Sequence, residues 1–207
     1  MLLAAMSKRS PRHNCKVAWK CLDVWRTRTP PRQAPTVPIE LAFAVINWLV
    51  LGGRPCEACV TLLCFAGLLR VGEALLLRGQ DVHFAQGKVI IVLGISKRGL
   101  EQKVVIEEPS LVDWLRAYRA RHAPRHASQL FCPAGYHSFN CWFNRAASDL
   151  GFGAVTWTSH GLRRGGATEL LRRGFPLSAI MLYGRWLGER SCREYLRRGE
   201  VAVLRMR

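Results

Sequence analysis

Between Thr29 and Thr36 the chain reads Thr-Pro-Pro-Arg-Gln-Ala-Pro-Thr, a stretch that neither a helix interior nor a central strand accommodates. It reads as a linker, and it splits the 207 residues into a short N-terminal segment, 1–36, and a long one, 37–207, which must contain the core. The first segment holds eight Lys/Arg against one acid, with Ala18, Cys21, Leu22 and Trp25 at helical spacing, so a short amphipathic helix is expected over about Cys15 to Arg26.

Within the long segment the apolar period changes twice. Leu41 to Leu51 and Ala58 to Leu69 are apolar runs broken by Gly52-Gly53-Arg54-Pro55, and each falls well short of the roughly 18 residues that a membrane span requires. They read as core helices, followed by a short helix from about Val71 to Leu77. Strand-like patterning then takes over in Val89-Ile90-Ile91-Val92 and in Val104-Val105-Ile106. With Ser96-Lys97-Arg98-Gly99 between them, these form a hairpin with a basic tip. Helical spacing returns from Pro109, from about Ser138 to Leu150, from Thr158-Ser159 to Gly174, from Pro176 to Tyr183, and from about Glu189 to Arg198. The expected fold class is mainly α with a small antiparallel β-sheet, α+β.

Charge narrows the function classes. Lys+Arg 31 against Asp+Glu 14 leaves a net charge of +17, an excess that favours a polyanionic partner because phosphate neutralisation releases counterions. Nucleic acid is the leading partner, and an acidic membrane surface competes with it. Only six of the cations are lysines, so most of the charge lies on guanidinium forks that grip phosphate oxygens in pairs. The apolar Met1 to Met6 is followed, not led, by Lys8, Arg9 and Arg12, which argues against export and leaves an organellar address open. The eight cysteines form no disulfide framework and read as thiols; Cys56 and Cys59 have the C-x-x-C spacing but no second pair at a zinc-finger interval, so no metal is expected. His122 and His126 flank Pro124 and are expected to face solvent or DNA backbone, while Trp19, Trp25, Trp48, Trp114, Trp142 and Trp157 are read as packing residues.

Three groups of residues can carry chemistry. In Ser159-His160-Gly161-Leu162-Arg163-Arg164, a capping pair is followed by His and Arg three apart on one helical face, where free N–H groups, an imidazole and a guanidinium suit a phosphate. In Gly67-Leu68-Leu69-Arg70-Val71-Gly72-Glu73, the carboxylate stands one turn after Arg70 and can hold its guanidinium. Tyr195 sits among Arg190, Arg193, Arg197 and Arg198, a field that favours phenolate over phenol.

Together these pieces resemble the catalytic domain of the tyrosine recombinase (phage integrase) family. That family's pattern is an Arg in a Gly-Leu-Arg-x-x-Glu helix, a Lys on a hairpin, His-x-x-Arg, then His or Trp nine residues before Tyr. Here Arg70, Lys97, His160, Arg163, Trp186 and Tyr195 follow in that order, and Trp186 to Tyr195 is nine residues; the resemblance spans about 38 to 200. It implies strand cleavage and rejoining through a covalent 3′-phosphotyrosyl bond, without metal or other cofactor, on double-stranded DNA. Tyr195 would attack, Arg70 and Arg163 would clamp the scissile phosphate, and Glu73 would support Arg70. His160 would take or share the tyrosine proton, Lys97 would protonate the leaving 5′-oxygen, and Trp186 would pack beside the phosphate. Arg98 competes with Lys97 for the hairpin place, and Arg98, Arg164, Arg193 and Arg197 are expected DNA contacts. The resemblance also implies self-assembly on DNA and a location with DNA, in a nucleus or a bacterial cytoplasm.

Two features depart from the pattern. Arg185 stands between Gly184 and Trp186, and the 36 residues ahead of the catalytic segment are too few for the family's usual N-terminal helical domain, so they are read as its remnant. The rival reading is therefore a decayed DNA-binding module of a mobile element.

Overall fold

The computed structural model describes residues 35–95, 101–193 and 196. The chain divides at Gln33/Ala34, and everything below concerns the second unit.

Helix α1 (Ile39–Leu51) starts after Pro38 and buries Leu41, Ala42, Val45, Ile46 and Leu49, a one-sided stripe at three- and four-residue spacing. Helix α2 (Pro55–Ala66) takes Pro55 in its first turn and is buried on nearly every side from Glu57 to Phe65, which makes it the axis of the core. It packs between α1 and the later helix α6 (Ser159–Arg172). After α2 come the short helix α3 (Val71–Leu76) and a single 3₁₀ turn, Gly79–Asp81.

The sheet has three antiparallel strands in the order β1 (Val82–Ala85), β2 (Lys88–Ile95), β3 (Glu101–Ile106). Val89 lies opposite Ile106 and Ile91 opposite Val104, so the four buried side chains share one face, and Val82 joins them opposite Ile91. The expected hairpin is β2–β3; its tip, with Lys97 and Arg98, lies outside the described residues. The strand β1 is additional, and its four residues are too few for alternation to register in the sequence. Two arginines of helix α4 (Pro109–Arg121) tie β1 down: Arg116 donates to the Ala85 carbonyl at 3.0 Å and Arg119 to the Val82 carbonyl at 3.1 Å.

Helix α5 (Tyr136–Ala147) buries Phe139 and Phe143 and gives way to a wide turn, Ser148–Phe152, somewhat short of the expected end. Trp157 is buried, Trp48 and Trp142 pair at 6.4 Å, and Trp114 stacks on Tyr118 at 5.7 Å, all as packing residues. His122 and His126 are exposed. Helix α7 (Leu177–Gly184) follows α6, and residues 189–193 are again helical. No helix among the described residues is long and apolar enough to cross a membrane.

Two glycines bring α6 against its neighbours. A Cβ on Gly165 would stand 2.0 Å from the Val37 carbonyl oxygen, and one on Gly166 would stand 1.9 Å from that of Phe65 at the end of α2. Backbone cannot yield as a flexible side chain would. Gly166→Ala should therefore lower stability by about 3 kcal/mol or more, seen as a reduced urea midpoint with an unchanged slope. An unchanged midpoint would show that α6 and α2 are not held this close.

Candidate active site

The chain leaves α2 through a tight turn in which buried Leu68 has φ 48°, and Arg70 then becomes the N-cap of α3. Arginine cannot accept a hydrogen bond from the helix, so the work of the cap falls to Glu73. Its Oε2 accepts the Arg70 backbone N–H at 2.7 Å and its Oε1 accepts Arg70 Nη1 at 2.6 Å. The carboxylate thereby fixes both the start of the helix and the direction of the guanidinium. The Arg70 side chain is 52% exposed and that of Glu73 20%.

Helix α6 is set by the segment before it. Asn144 accepts the Trp157 N–H at 2.8 Å and donates to the Trp157 carbonyl at 3.0 Å, holding that residue as a strand neighbour would. Thr158 caps the helix through Gly161, and Val37 donates to the Gly161 carbonyl at 3.1 Å. Three residues apart on α6, His160 remains at the surface while Arg163 is 4% exposed. The Arg163 guanidinium donates through Nη2 to the Gly184 carbonyl, lies 3.9 Å from Glu73 Oε2, and sits 4.9 Å from the centre of the Trp186 ring. That ring packs so closely on Gly184 that a Cβ there would stand 1.9 Å from it.

Arg185, between those two residues, has φ 58° and a side chain 7% exposed. Its Nη2 donates to Glu73 Oε2 at 2.6 Å and to the Leu68 carbonyl at 3.2 Å. One carboxylate thus meets three guanidinium groups carried by three separate parts of the chain. Burial pushes the Glu73 pKa up, but the Arg70 N–H and the Arg185 and Arg70 guanidinium groups outweigh it and hold the carboxyl below its ordinary value. Partial desolvation of the ring where it meets the protein, reinforced by the charges of Arg163, Arg164 and Arg70, pushes His160 below the ordinary imidazole value.

Of the residues expected at the site, Arg70, Glu73, His160, Arg163 and Trp186 come together here. Lys97, Arg98, Tyr195 and Arg197 lie outside the described residues. Arg164, expected as a DNA contact, is buried, because α6 is enclosed around its whole circumference from Gly161 to Thr168. Arg193 is exposed and paired with Glu189 at 2.6 Å. In the sequence Arg185 stands only as an interruption between Gly184 and Trp186; no spacing rule marks it, since its place depends on a left-handed backbone turn. Cys59 is buried in α2 and Cys56 half-buried beside the Tyr118 hydroxyl, and among the described residues no group of three or more His, Cys, Asp or Glu is placed to hold a metal ion. A cavity of about 760 Å³, walled by Phe43, Phe65, Leu170, Phe175 and Ile180, includes none of the clustered polar residues in its lining. The cluster is instead reached from the surface at Arg70 and His160.

Glu73→Gln keeps the shape and removes the charge, so it should cost on the order of 2 kcal/mol at pH 7, the scale of hydrogen bonds to charged groups. The folded-state pKa of Glu73 is lowered, so its contribution is complete above the ordinary carboxylate value and disappears as pH falls through the lowered one. Denaturant titrations of wild type and Glu73→Gln should differ at pH 7 and converge on acidification. A constant gap down to pH 2 would mean that the carboxylate charge is not what holds the arginines.

The family model for the phage integrase family matches residues 55–200, which include Arg70, Glu73, His160, Arg163, Arg185 and Trp186. Among solved structures, XerA recombinase superposes with a TM-score of 0.65 at 20% identity, covering 98% of this chain and 78% of XerA. The XerH site-specific recombinase bound to its difH substrate gives 0.63 at 18%, covering 79% of this chain and 51% of XerH, so the chain spans about half the length of that relative. The catalytic domain of bacteriophage HP1 integrase gives 0.56 at 16%, with 80% and 89% covered. No curated protein sequence matches. Identities this low establish the fold, and the family match adds descent: the chain belongs to the phage integrase family and has the catalytic-domain fold of the tyrosine recombinases.

Proposed function

We propose that the chain cleaves and rejoins double-stranded DNA through a covalent 3′-phosphotyrosyl intermediate, in site-specific recombination or integration of a mobile element. The observation that carries this reading is the convergence of Arg70 and Arg163 on Glu73, with His160 in the field of both arginines. Three guanidinium groups around one carboxylate leave local charge of about +2, which suits the charge that builds on a phosphoryl group in its transition state.

In this reading the Tyr195 oxygen attacks phosphorus, the bond from phosphorus to the 5′-oxygen breaks, and the ester formed keeps the energy needed for a 5′-hydroxyl to reseal it. Lys97 supplies the proton to the departing 5′-oxygen; arginine at position 98 holds its proton too tightly for that role. With its pKa lowered, His160 is neutral near pH 7 and can accept the tyrosine proton. Arg70, the exposed member, meets the phosphate from the solvent side. Arg163 acts from beneath, where low dielectric lengthens the reach of its charge, and Trp186 lies over it. The step as written uses no metal ion or cofactor.

The remaining cations, Arg98, Arg193 and Arg197 among them, would contact the DNA backbone, which gives affinity without sequence information. XerH was solved on its substrate difH, a relative of this fold engaged with DNA. Residues 1–36 form the basic segment and linker, 37–207 form the catalytic domain, and copies assemble on DNA in the compartment where it lies.

A duplex carrying a nick near the cleavage site traps the covalent complex, because the short 5′ fragment diffuses away. Wild type should become attached to it, and Tyr195→Phe should bind it with the same salt dependence and form no adduct. Arg70→Ala should lose about 2–4 kcal/mol of transition-state stabilisation while changing DNA affinity far less. Binding without attachment on any duplex would leave the decayed DNA-binding module as the function, and an adduct persisting in Tyr195→Phe would move the nucleophile elsewhere.

The rate of adduct formation should also fall as pH drops through the His160 pKa, with the midpoint below the ordinary imidazole value of about 6.5. His160→Gln should be slower and lack that limb. A limb that survives the substitution would assign the titration to another group.

A further inference from the structure

Among the described residues, two that are not glycine have φ in the left-handed region, Leu68 at 48° and Arg185 at 58°. They are 117 positions apart in sequence, and the Arg185 guanidinium donates to the Leu68 carbonyl at 3.2 Å. The two strained turns are thus joined to each other by the side chain of one of them. Position 185 is the cap that ends α7, where glycine is the residue of least strain. An arginine there carries a backbone cost that a cap alone would not select.

The side chain shows what is obtained in return. Its Nη2 bridges the Leu68 carbonyl and Glu73 Oε2, and it lies buried with Nε and Nη1 making no hydrogen bond. The residues on either side both engage Arg163: the Gly184 carbonyl accepts from its Nη2, and the Trp186 ring lies over its guanidinium. Tyr183, one residue earlier, donates to the Ala66 carbonyl at 3.1 Å, so the end of α7 is fastened along the turn that leads to Arg70.

Building on the cleavage reading above, we infer that Arg185 is a positioning residue for the phosphate site. Its left-handed backbone turns Trp186 back over Arg163, and its planar guanidinium sets Glu73 against the Leu68 turn. Glu73 in turn aims Arg70. Arg185 is itself too deeply enclosed to meet DNA. Its effect on the reaction passes through Glu73, Arg70 and Trp186, so losing it should slow the chemical step and spare DNA binding.

The test uses the full chain with Arg185→Gly and Arg185→Gln, and Arg173→Gln as a control, since Arg173 pairs with Glu169 on the surface of α6. Glycine removes the guanidinium and relieves the turn; glutamine removes the guanidinium and keeps the strain. The glycine variant should therefore melt above the glutamine variant, while both lose about 100-fold in adduct formation on the nicked duplex, the scale of a misplaced catalytic group. Their dissociation constants for the duplex should stay within about twofold of wild type, as an enclosed side chain makes no phosphate contact.

In protein labelled with 5-fluorotryptophan, the Trp186 resonance, assigned by its loss in Trp186→Phe, should move in both variants and stay in place in the control. Wild-type cleavage in Arg185→Gly, or losses that follow melting temperature, would reduce Arg185 to a helix cap. If wild type forms no adduct, the cleavage reading fails by itself and the Trp186 resonance decides the positioning role: a resonance unmoved in both variants would overturn it.

Discussion

The carboxylate of Glu73 is held between the guanidinium groups of Arg70, Arg163 and Arg185, and the geometry of the whole cluster depends on that one anion. Two like unit charges about 5 Å apart at an effective dielectric constant near 20 repel by about 3 kcal/mol, so three guanidinium groups could not share this space unaided. One carboxylate among them turns mutual repulsion into a set of attractions radiating from its two oxygens. It does not neutralise the cluster. The residual positive charge is what an incoming phosphodiester can use, and because the groups are already oriented, little reorganisation is left for the moment of reaction.

The same carboxylate is also part of the fold. Glu73 accepts the backbone N–H of Arg70 and so completes the first turn of α3, which means that helix formation and the aiming of Arg70 are one event. Arg163 reaches the cluster by a different route. Gly165 and Gly166 let α6 lie directly on the backbone of Val37 and Phe65, and that depth makes Arg163 almost inaccessible to water. A buried guanidinium is costly unless compensated, and the Gly184 carbonyl, the Glu73 carboxylate and the Trp186 ring are the compensation. Close helix packing is therefore what converts an ordinary arginine on a helix into a preorganised charge.

Much of this was legible in the residues. Prolines at 38, 55 and 109 and the Gly52-Gly53 pair mark helix boundaries directly, and the β-branched runs 89–92 and 104–106 mark the hairpin, because those signals are local. Arg70 with Glu73, and His160 with Arg163, are legible because helical spacing fixes their relation. What escaped was non-local. The strand β1 is defined by its pairing with β2 more than by its four residues. Arg164, expected as a DNA contact, is enclosed by the packing around α6, which no local signal in the sequence reveals. Arg185 depends on a left-handed turn that no arginine advertises and on a partner 112 residues earlier.

The charge excess, which first pointed to a polyanion, also changes meaning once the side chains are placed. Arg116 and Arg119 fasten β1, Arg54 lies 4.0 Å over the Trp142 ring, and Arg163, Arg164 and Arg185 are enclosed. The last three serve the interior and the others are engaged in holding the fold at its surface, so net charge overstates the cationic surface that is free to meet a polyanion. It also separates two tasks that composition alone merges. Surface cations can attract a duplex anywhere along it, with a strength that falls as salt rises, whereas in the proposed reaction the enclosed ones would act only on a phosphate delivered to Arg70 and His160. A chain that lost its outer arginines would bind poorly and could still be competent at the site. One that lost Glu73 would keep the charge that attracts a polyanion and have no ordered cluster to receive it.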